Sequence, residues 1–301
     1  MIAATPIAIL QAALDWAQSG DPVALVTLTG IEGSSSRALG AQMAVTASGQ
    51  SIGSFSGGCI EAAIIAEAQK VLAEGEGRVV RYGLGSPYID VRLPCGGGID
   101  LLFTPRPDAA VLVSAFAQHA RREPLEMRIT PTGVSLAGEG FGLRINPDLR
   151  VMAFGQGEDL SAFCWLAERY GVRLEAFSPV ECDLSRMPER AETHHLTSTG
   201  QSLALQSDPY TAHVFLFHDR DWEDALIPQI LPLDGFYQGA IGSQRTHQAR
   251  LARLTAAGVP PEQLAKLRGH IGLIHATRDP ATLALSVLAD IIAAAPVAFS
   301  G

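Results

Sequence analysis

Lysine is nearly absent from this chain: Lys70 and Lys266 are the only two, and the other 20 basic residues are arginine. No GxxxxGK[ST] run surrounds either lysine, which excludes a P-loop nucleotide hydrolase. Cysteine is also scarce, with Cys59, Cys95, Cys164 and Cys182 forming no CxxC pair. That excludes a disulfide scaffold and leaves no recognisable zinc site, so a reducing, cytoplasmic setting is expected. Positive charge is short by nine, giving a net charge of −9, which disfavours a nucleic-acid partner. Long apolar runs are missing too. The stretch from Leu283 to Ala298 is interrupted by Ser286 and Asp290 and falls below the roughly 20 residues of a membrane span. The first 20 residues lack a basic start and contain Gln11, Asp15 and Gln18, so they read as an amphipathic helix opened by Pro6, not a signal peptide. No membrane partner is expected.

What the chain does have is an apolar fraction of 47% in 301 residues, enough for about two globular domains. After the first helix, Pro22 to Thr29 reads as a buried strand. Seven glycines lie between Gly30 and Gly58, flanking a strand over 41–46, and this loop region opens into a helix over 60–74 stopped by Gly75. Strands over 78–82 and 98–104 bracket a second loop, Leu93-Pro-Cys-Gly-Gly-Gly98. A helix over 109–122 and short strands over 126–145 follow. The turn Asn146-Pro-Asp148 is taken as the boundary between domains 1–146 and 147–301. Beyond it, strands over 150–154, 173–177, 211–217 and 237–241 alternate with helices over 159–170, 221–231, 244–257 and 279–295. The expected fold class is α/β: an N-terminal α+β domain followed by a Rossmann-like parallel-sheet domain.

Several constellations carry chemistry. Gly53-Ser-Phe-Ser-Gly-Gly-Cys-Ile-Glu61 places small residues and backbone amides at a helix N-terminus, where anions bind, and a thiol there is a candidate thiolate or soft ligand. The alternative is tight packing around an inert, buried Cys59. Cys95 lies among glycines in a loop, whereas Cys164 falls on the apolar face of a helix and reads as core. Gly155-Gln-Gly157 joins a strand to a helix in Rossmann fashion, but Leu160 takes the third glycine position and Ser178 ends the next strand where a dinucleotide site places an acid. His218 and Asp219 follow another strand, as acid/base groups or as a surface histidine and a helix cap. Gly239-Ala-Ile-Gly-Ser-Gln-Arg245 offers Gly242, Ser243 and Arg245 to an anion, or is a plain turn. His194-His195 lack a third ligand and read as loop histidines.

In the order and spacing of these segments, together with Ile271-Gly-Leu273 and Pro280 to Ala289, the sequence resembles the XdhC/CoxI family, the accessory proteins of xanthine dehydrogenase and related molybdenum hydroxylases. The resemblance implies a chaperone without turnover of its own. It would bind molybdenum cofactor, keep it while a cysteine desulfurase replaces an oxo ligand by sulfur, and deliver it to the apo-hydroxylase. Its implied cofactor-binding residues are Arg37, Ser56, Gly57, Gly58, Cys59, Glu61, Cys95, Gly96, Gly97, Gly155, Gly157, His218, Asp219, Gly242, Ser243 and Arg245. A homodimer is the default assembly. The chain departs from the family pattern at Glu158, at His270 and across Ile274 to Asp279, all in the second half. Two other readings stay open: an NAD(P)-dependent oxidoreductase using the Rossmann-like domain, and a scaffold that binds only proteins.

Overall fold

The computed structural model describes residues 5–58, 60–86 and 96–295. They fall into two compact units that meet in sequence between Pro147 and Asp148.

The N-terminal unit is α+β. Helix α1 (Pro6–Gln18) starts on a Thr5 cap with Pro6 at its first position, where the missing N–H costs nothing. Strands β1 (Val23–Glu32), β2 (Gln42–Thr46), β3 (Ser51–Gly53), β4 (Arg78–Gly83) and β5 (Gly98–Pro105) form an antiparallel sheet in the order β3-β2-β1-β5-β4. The apolar run of β1 is buried because it is central and serves two cores. Ala24, Val26 and Leu28 face one, with α2 (Glu61–Glu74), while Val23 and Leu25 face the other, with α1 and α3 (Ala109–Ala120). A three-stranded sheet of β6 (Leu125–Thr130), β7 (Gly133–Ser135) and β8 (Phe141–Ile145) closes the second core.

The C-terminal unit contains a parallel sheet of β9 (Arg150–Gly155), β10 (Arg173–Ser178), β11 (Glu192–His195), β12 (Thr211–Leu216), β13 (Tyr237–Ala240) and β14 (Arg268–Gly269). Their order, β11-β10-β9-β12-β13-β14, is the doubly wound Rossmann order, with the switch point between β9 and β12. Val151 and Ala153 of β9 pack towards α4 (Gly157–Tyr170) and α9 (Pro280–Ala294). Met152 and Phe154 pack towards α6 (Arg220–Ile230) and α7 (Gln244–Ala256). Both faces are covered, as an all-parallel sheet requires.

The histidines at 194 and 195, expected in a loop, lie instead on strand β11. The reason is a tertiary row: Phe215 stacks on Phe154, Phe154 on Phe177, and Phe177 on His194 at 4.3 Å between ring centroids. That row recruits a polar segment to the sheet edge. Among the described residues, no helix is long and apolar enough to cross a membrane.

One buried group links this unit's stability to pH. His213 on β12 is fully buried. Burial, and then the neighbouring Arg150 charge, lower its pKa from 6.5 to about 4 against the opposing pull of Asp208. The unfolded chain therefore binds a proton that the folded chain refuses between pH 6.5 and 4, so stability falls as pH falls through that window. The loss attributable to His213 reaches about 3 kcal/mol. Urea unfolding at pH 7 and pH 4.5 should show it in the wild type and show less of it in His213→Gln. An equal loss in both would refute the assignment.

Candidate functional site

In the N-terminal unit the structure brings three loops together. The segment after β1 is fastened to the loop before α2: Arg37 donates through Nε to the Ser54 carbonyl at 3.1 Å and through Nη2 to the Ser54 hydroxyl at 3.2 Å, and Ser36 Oγ donates to the Phe55 carbonyl at 2.6 Å. The loop entering β5 lies against the same segment. A Cβ on Gly97 would stand 2.4 Å from the Ser34 carbonyl oxygen, so only glycine permits this approach. Below them Arg81 joins Asp100 at 3.1 Å and Glu32, fixing the base of the hairpin β4–β5. Among the described residues, nothing lies within 4 Å of where a side chain would begin at Gly57, Gly58 or Gly96. Arg37 is exposed and a third Arg37 bond, Nη1 to the Ser36 carbonyl at 3.2 Å, leaves two of its five N–H donors uncommitted among the described residues. Cys59 and Cys95 lie outside the described residues.

The amides ahead of α2 are not open to an anion, contrary to the sequence expectation. Glu61, the first residue of α2, turns its carboxylate back over the loop. It accepts from the amides of Phe55 at 3.1 Å, Ser56 at 2.8 Å, Gly58 at 2.7 Å and Ile60 at 3.3 Å, and from the Ser56 hydroxyl at 2.8 Å. Burial pushes its pKa up, but the Ser56 amide and hydroxyl, its own amide and that of Phe55 outweigh this and hold it at about 2. Glu61 is thus the anion of its own nest, and it shapes the loop.

The Rossmann turn is closed in the same manner. Gly155 ends β9 and Gly157 opens α4, and the Gly157 amide donates to the Asp183 carboxylate at 2.6 Å. Asp183 belongs to the short helix α5 (Glu181–Leu184), which follows β10. Its carboxylate takes the position where a dinucleotide's pyrophosphate would meet the helix N-terminus. Ser178 is buried, and its hydroxyl accepts from the Val180 amide at 3.2 Å.

On the other side of the switch point the same sheet edge is open. A cavity of about 700 Å³ lies at the carboxyl ends of β12, β13 and β14. Ile241, Ile271, Ile274 and Leu283 form apolar walls; His218, Ser243, His270, His275 and Arg278 supply polar atoms. The His218 Nε2 sits 2.9 Å from Asp159 Oδ2, leaving Nδ1 as the free ring nitrogen. Asp219 caps α6 by accepting from the Asp221 amide, and Ser243 caps α7 by accepting from Thr246. Gly242 lines the cavity, whereas Arg245 is exposed on the first turn of α7 and is not among the lining residues. The loop carrying His275 to Arg278 is anchored by the two polar residues that interrupt the apolar C-terminal stretch. Ser286 Oγ accepts from the Ile274 amide at 2.8 Å, and Asp290 accepts from the Gly272 amide at 3.0 Å and the Tyr237 hydroxyl at 2.8 Å.

Sequence reasoning missed His270, His275, Arg278, Asp159 and Asp183. The cluster His-Ala-Thr-Arg-Asp before the proline-started helix was the available signal, for polar residues ahead of a helix N-terminus frequently face a ligand. Cys164 is core as expected: it is fully buried, and burial pushes its thiol up to about 12, which makes it inert. Cys182 is exposed. Among the described residues no group of three or more His, Cys, Asp or Glu side chains is placed to hold a metal ion.

Residues 16–83 match the XdhC and CoxI family, and residues 151–291 match the XdhC Rossmann domain. Over 94% of its length the chain is 34% identical to the molybdenum cofactor insertion chaperone PaoD of Escherichia coli (strain K12), of which it covers 86%. It is 25% identical over 90% of its length to YqeB of the same organism, of which it covers 43%. In three dimensions it resembles a crystal structure of a xanthine dehydrogenase from Bacillus halodurans, with a TM-score of 0.77, 95% of each chain covered and 21% identity. At that identity the likeness is one of fold.

Proposed function

Because the chain belongs to the XdhC and CoxI family, we propose that it binds the molybdenum cofactor as cargo and delivers it to apo xanthine dehydrogenase or a related molybdenum hydroxylase in the cytoplasm. It keeps the cofactor while a cysteine desulfurase exchanges an oxo ligand for sulfur, and it has no turnover of its own. It works as a homodimer. The observation that carries this reading is the 34% identity to an insertion chaperone along 94% of the chain.

The three converging loops fit such a cargo. With no described residue within 4 Å of a side chain at Gly57, Gly58 or Gly96, a flat ligand has room to approach the backbone. Glu61 already holds the loop amides, so the cargo's phosphate is assigned to the uncommitted donors of Arg37 rather than to those amides. Cys59 and Cys95 are the proposed soft ligands, because sulfur matches a dithiolene-bound metal. Gly155 and Gly157 are not assigned to a dinucleotide here, since Asp183 holds the Gly157 amide. No observation favours an oxidoreductase.

The test is anaerobic equilibrium binding of molybdenum cofactor to the full chain and to Arg37→Ala, Cys59→Ala and Cys95→Ala, with NAD and NADP as controls. Stoichiometric binding by the wild type, at least tenfold weaker in Arg37→Ala and in one cysteine variant, is the expected result. Tight dinucleotide binding without cofactor binding would overturn the proposal.

A further inference from the structure

The loops that carry Arg37 and Gly96 leave the same end of the N-terminal sheet, and one side chain reaches the root of both. Arg81 stands opposite Asp100 in the pairing of β4 with β5, and Asp100 stands opposite Gly30 in the pairing of β5 with β1, so the three form one row across three strands. From this row Arg81 uses all three of its guanidinium nitrogens. Nη1 donates to both Asp100 carboxylate oxygens at 3.1 Å, Nε donates to the Leu84 carbonyl at 2.8 Å, and Nη2 donates to the Glu32 carboxylate. Glu32 ends β1, where the loop bearing Arg37 begins. Leu84 follows β4, and its own amide donates to the Gly97 carbonyl at 2.9 Å, in the loop that enters β5. The end of β1 is shaped to meet this fork. Its register against β5 slips between Leu28 and Gly30, and the hydroxyl of the bulged Thr29 donates to the Asp100 carbonyl at 3.2 Å; a bulge re-aims the strand end beyond it. Gly30 leaves the space that the Asp100 carboxylate fills: a Cβ there would stand 2.4 Å from Asp100 Oδ2, and the three nearest atoms all belong to that one side chain. Arg81 and Asp100 are partly exposed and Glu32 is exposed, so these pairs contribute little to stability. What they secure is the arrangement of two loops.

We infer that Arg81 is a positioning residue of the cargo site. It touches no cargo itself; it sets the spacing between the loop bearing Arg37 and the loop bearing Gly96, and so presets the opening that receives the cargo. The planar guanidinium is required, because three acceptors from three segments lie around one fork and a lysine ammonium, a point charge, cannot hold all of them at once. The inference rests on the delivery role proposed above and adds to it a residue outside the glycine-rich loops.

The experiment compares the full chain with Arg81→Met, Arg81→Lys and Gly30→Ala, reading anaerobic molybdenum cofactor binding and amide hydrogen exchange. Arg81→Met should melt within about 3 °C of the wild type, since the pairs it breaks are exposed. It should nonetheless bind the cofactor about tenfold more weakly, because loops that are no longer preset must be ordered on binding. Its Leu84 amide should exchange faster, while the amides of Val23 to Leu28 in β1 keep the wild-type rate. Arg81→Lys should bind no better than Arg81→Met, since the charge is kept and the fork is lost. Gly30→Ala changes no charge, yet its Cβ displaces the Asp100 carboxylate from Arg81, and it should weaken binding about threefold. Wild-type affinity in Arg81→Lys would show that charge alone suffices and overturns the inference; wild-type exchange at Leu84 in Arg81→Met does the same. Should Arg81→Met unfold, Gly30→Ala decides by the same two readouts. A wild type that binds no cofactor overturns the delivery role and this inference with it. A wild type that binds, beside an Arg81→Met that binds equally, overturns this inference alone.

Discussion

Glu223→Ala should lower the melting temperature of the C-terminal unit by about 10 °C, corresponding to 3–5 kcal/mol. Arg250 is the largest fully buried side chain among the described residues, and Glu223 is only 3% exposed. Their guanidinium and carboxylate meet through two bonds, Nε to Oε2 at 2.9 Å and Nη2 to Oε1 at 2.6 Å, which tie α7 to α6. Removing the carboxylate alone strands a positive charge in the core, and that is far more costly than losing the pair itself. The double variant Glu223→Leu with Arg250→Met should therefore recover most of the loss. Calorimetry on the full chain distinguishes the outcomes, and a shift of under two degrees in the single variant would refute the argument. The consequence extends to the cavity at the carboxyl edge of the sheet: Arg250 Nη2 also donates to the Ile241 carbonyl at 2.7 Å, and Ile241 is part of the cavity wall.

Glu61→Ala should be nearly as damaging in the other unit, at about 3 kcal/mol, because the partly buried amides of Phe55, Ser56 and Ile60 lose a charged acceptor together. Its signature is in the pH dependence. The folded-state pKa of about 2 lies below the ordinary 4.5, so the ionised carboxylate stabilises the fold above pH 4.5, and that contribution is lost as pH falls towards 2. The difference in unfolding free energy between wild type and Glu61→Gln should be full at pH 6 and shrink steadily below pH 4.5. His213 is common to both chains, so its own pH dependence cancels in that difference. A difference independent of pH would show that Glu61 acts by packing alone. If the loop supports cargo as proposed, Glu61→Ala should also bind molybdenum cofactor at least tenfold more weakly than wild type.

Much of the fold was legible because its causes are local. The apolar run from Pro22 to Thr29 has the composition of a strand buried on both faces, and the structure places β1 between two cores. Strands separated by helix-length segments after Asp148 dictate parallel pairing, since only a crossover brings the next strand alongside. Pro6, and Asp279 with Pro280, mark helix starts that the structure reproduces. Polar Glu192 to His195 carried no strand periodicity, and β11 exists because β10 offers backbone partners and Phe177 offers a ring face.

The sequence by itself determined most of the segments that become helix or strand, β11 excepted, the parallel character of the second sheet, and where glycine lets the backbone come close. These follow from side-chain period, capping chemistry and missing Cβ atoms, all properties of neighbours in the chain. Only the tertiary structure decided what fills each helix N-terminus. Glycines and amides at Gly58 and Gly157 look alike in sequence as anion sites, yet the nearest anions are Glu61, three residues from Gly58, and Asp183, 26 residues from Gly157. A backbone amide takes whichever acceptor the packed chain brings within about 3 Å, and folding brings the protein's own carboxylates there first. For the same reason the open cavity lies where His218, Ser243, His270 and Arg278 meet, residues joined by strand ends and not by sequence.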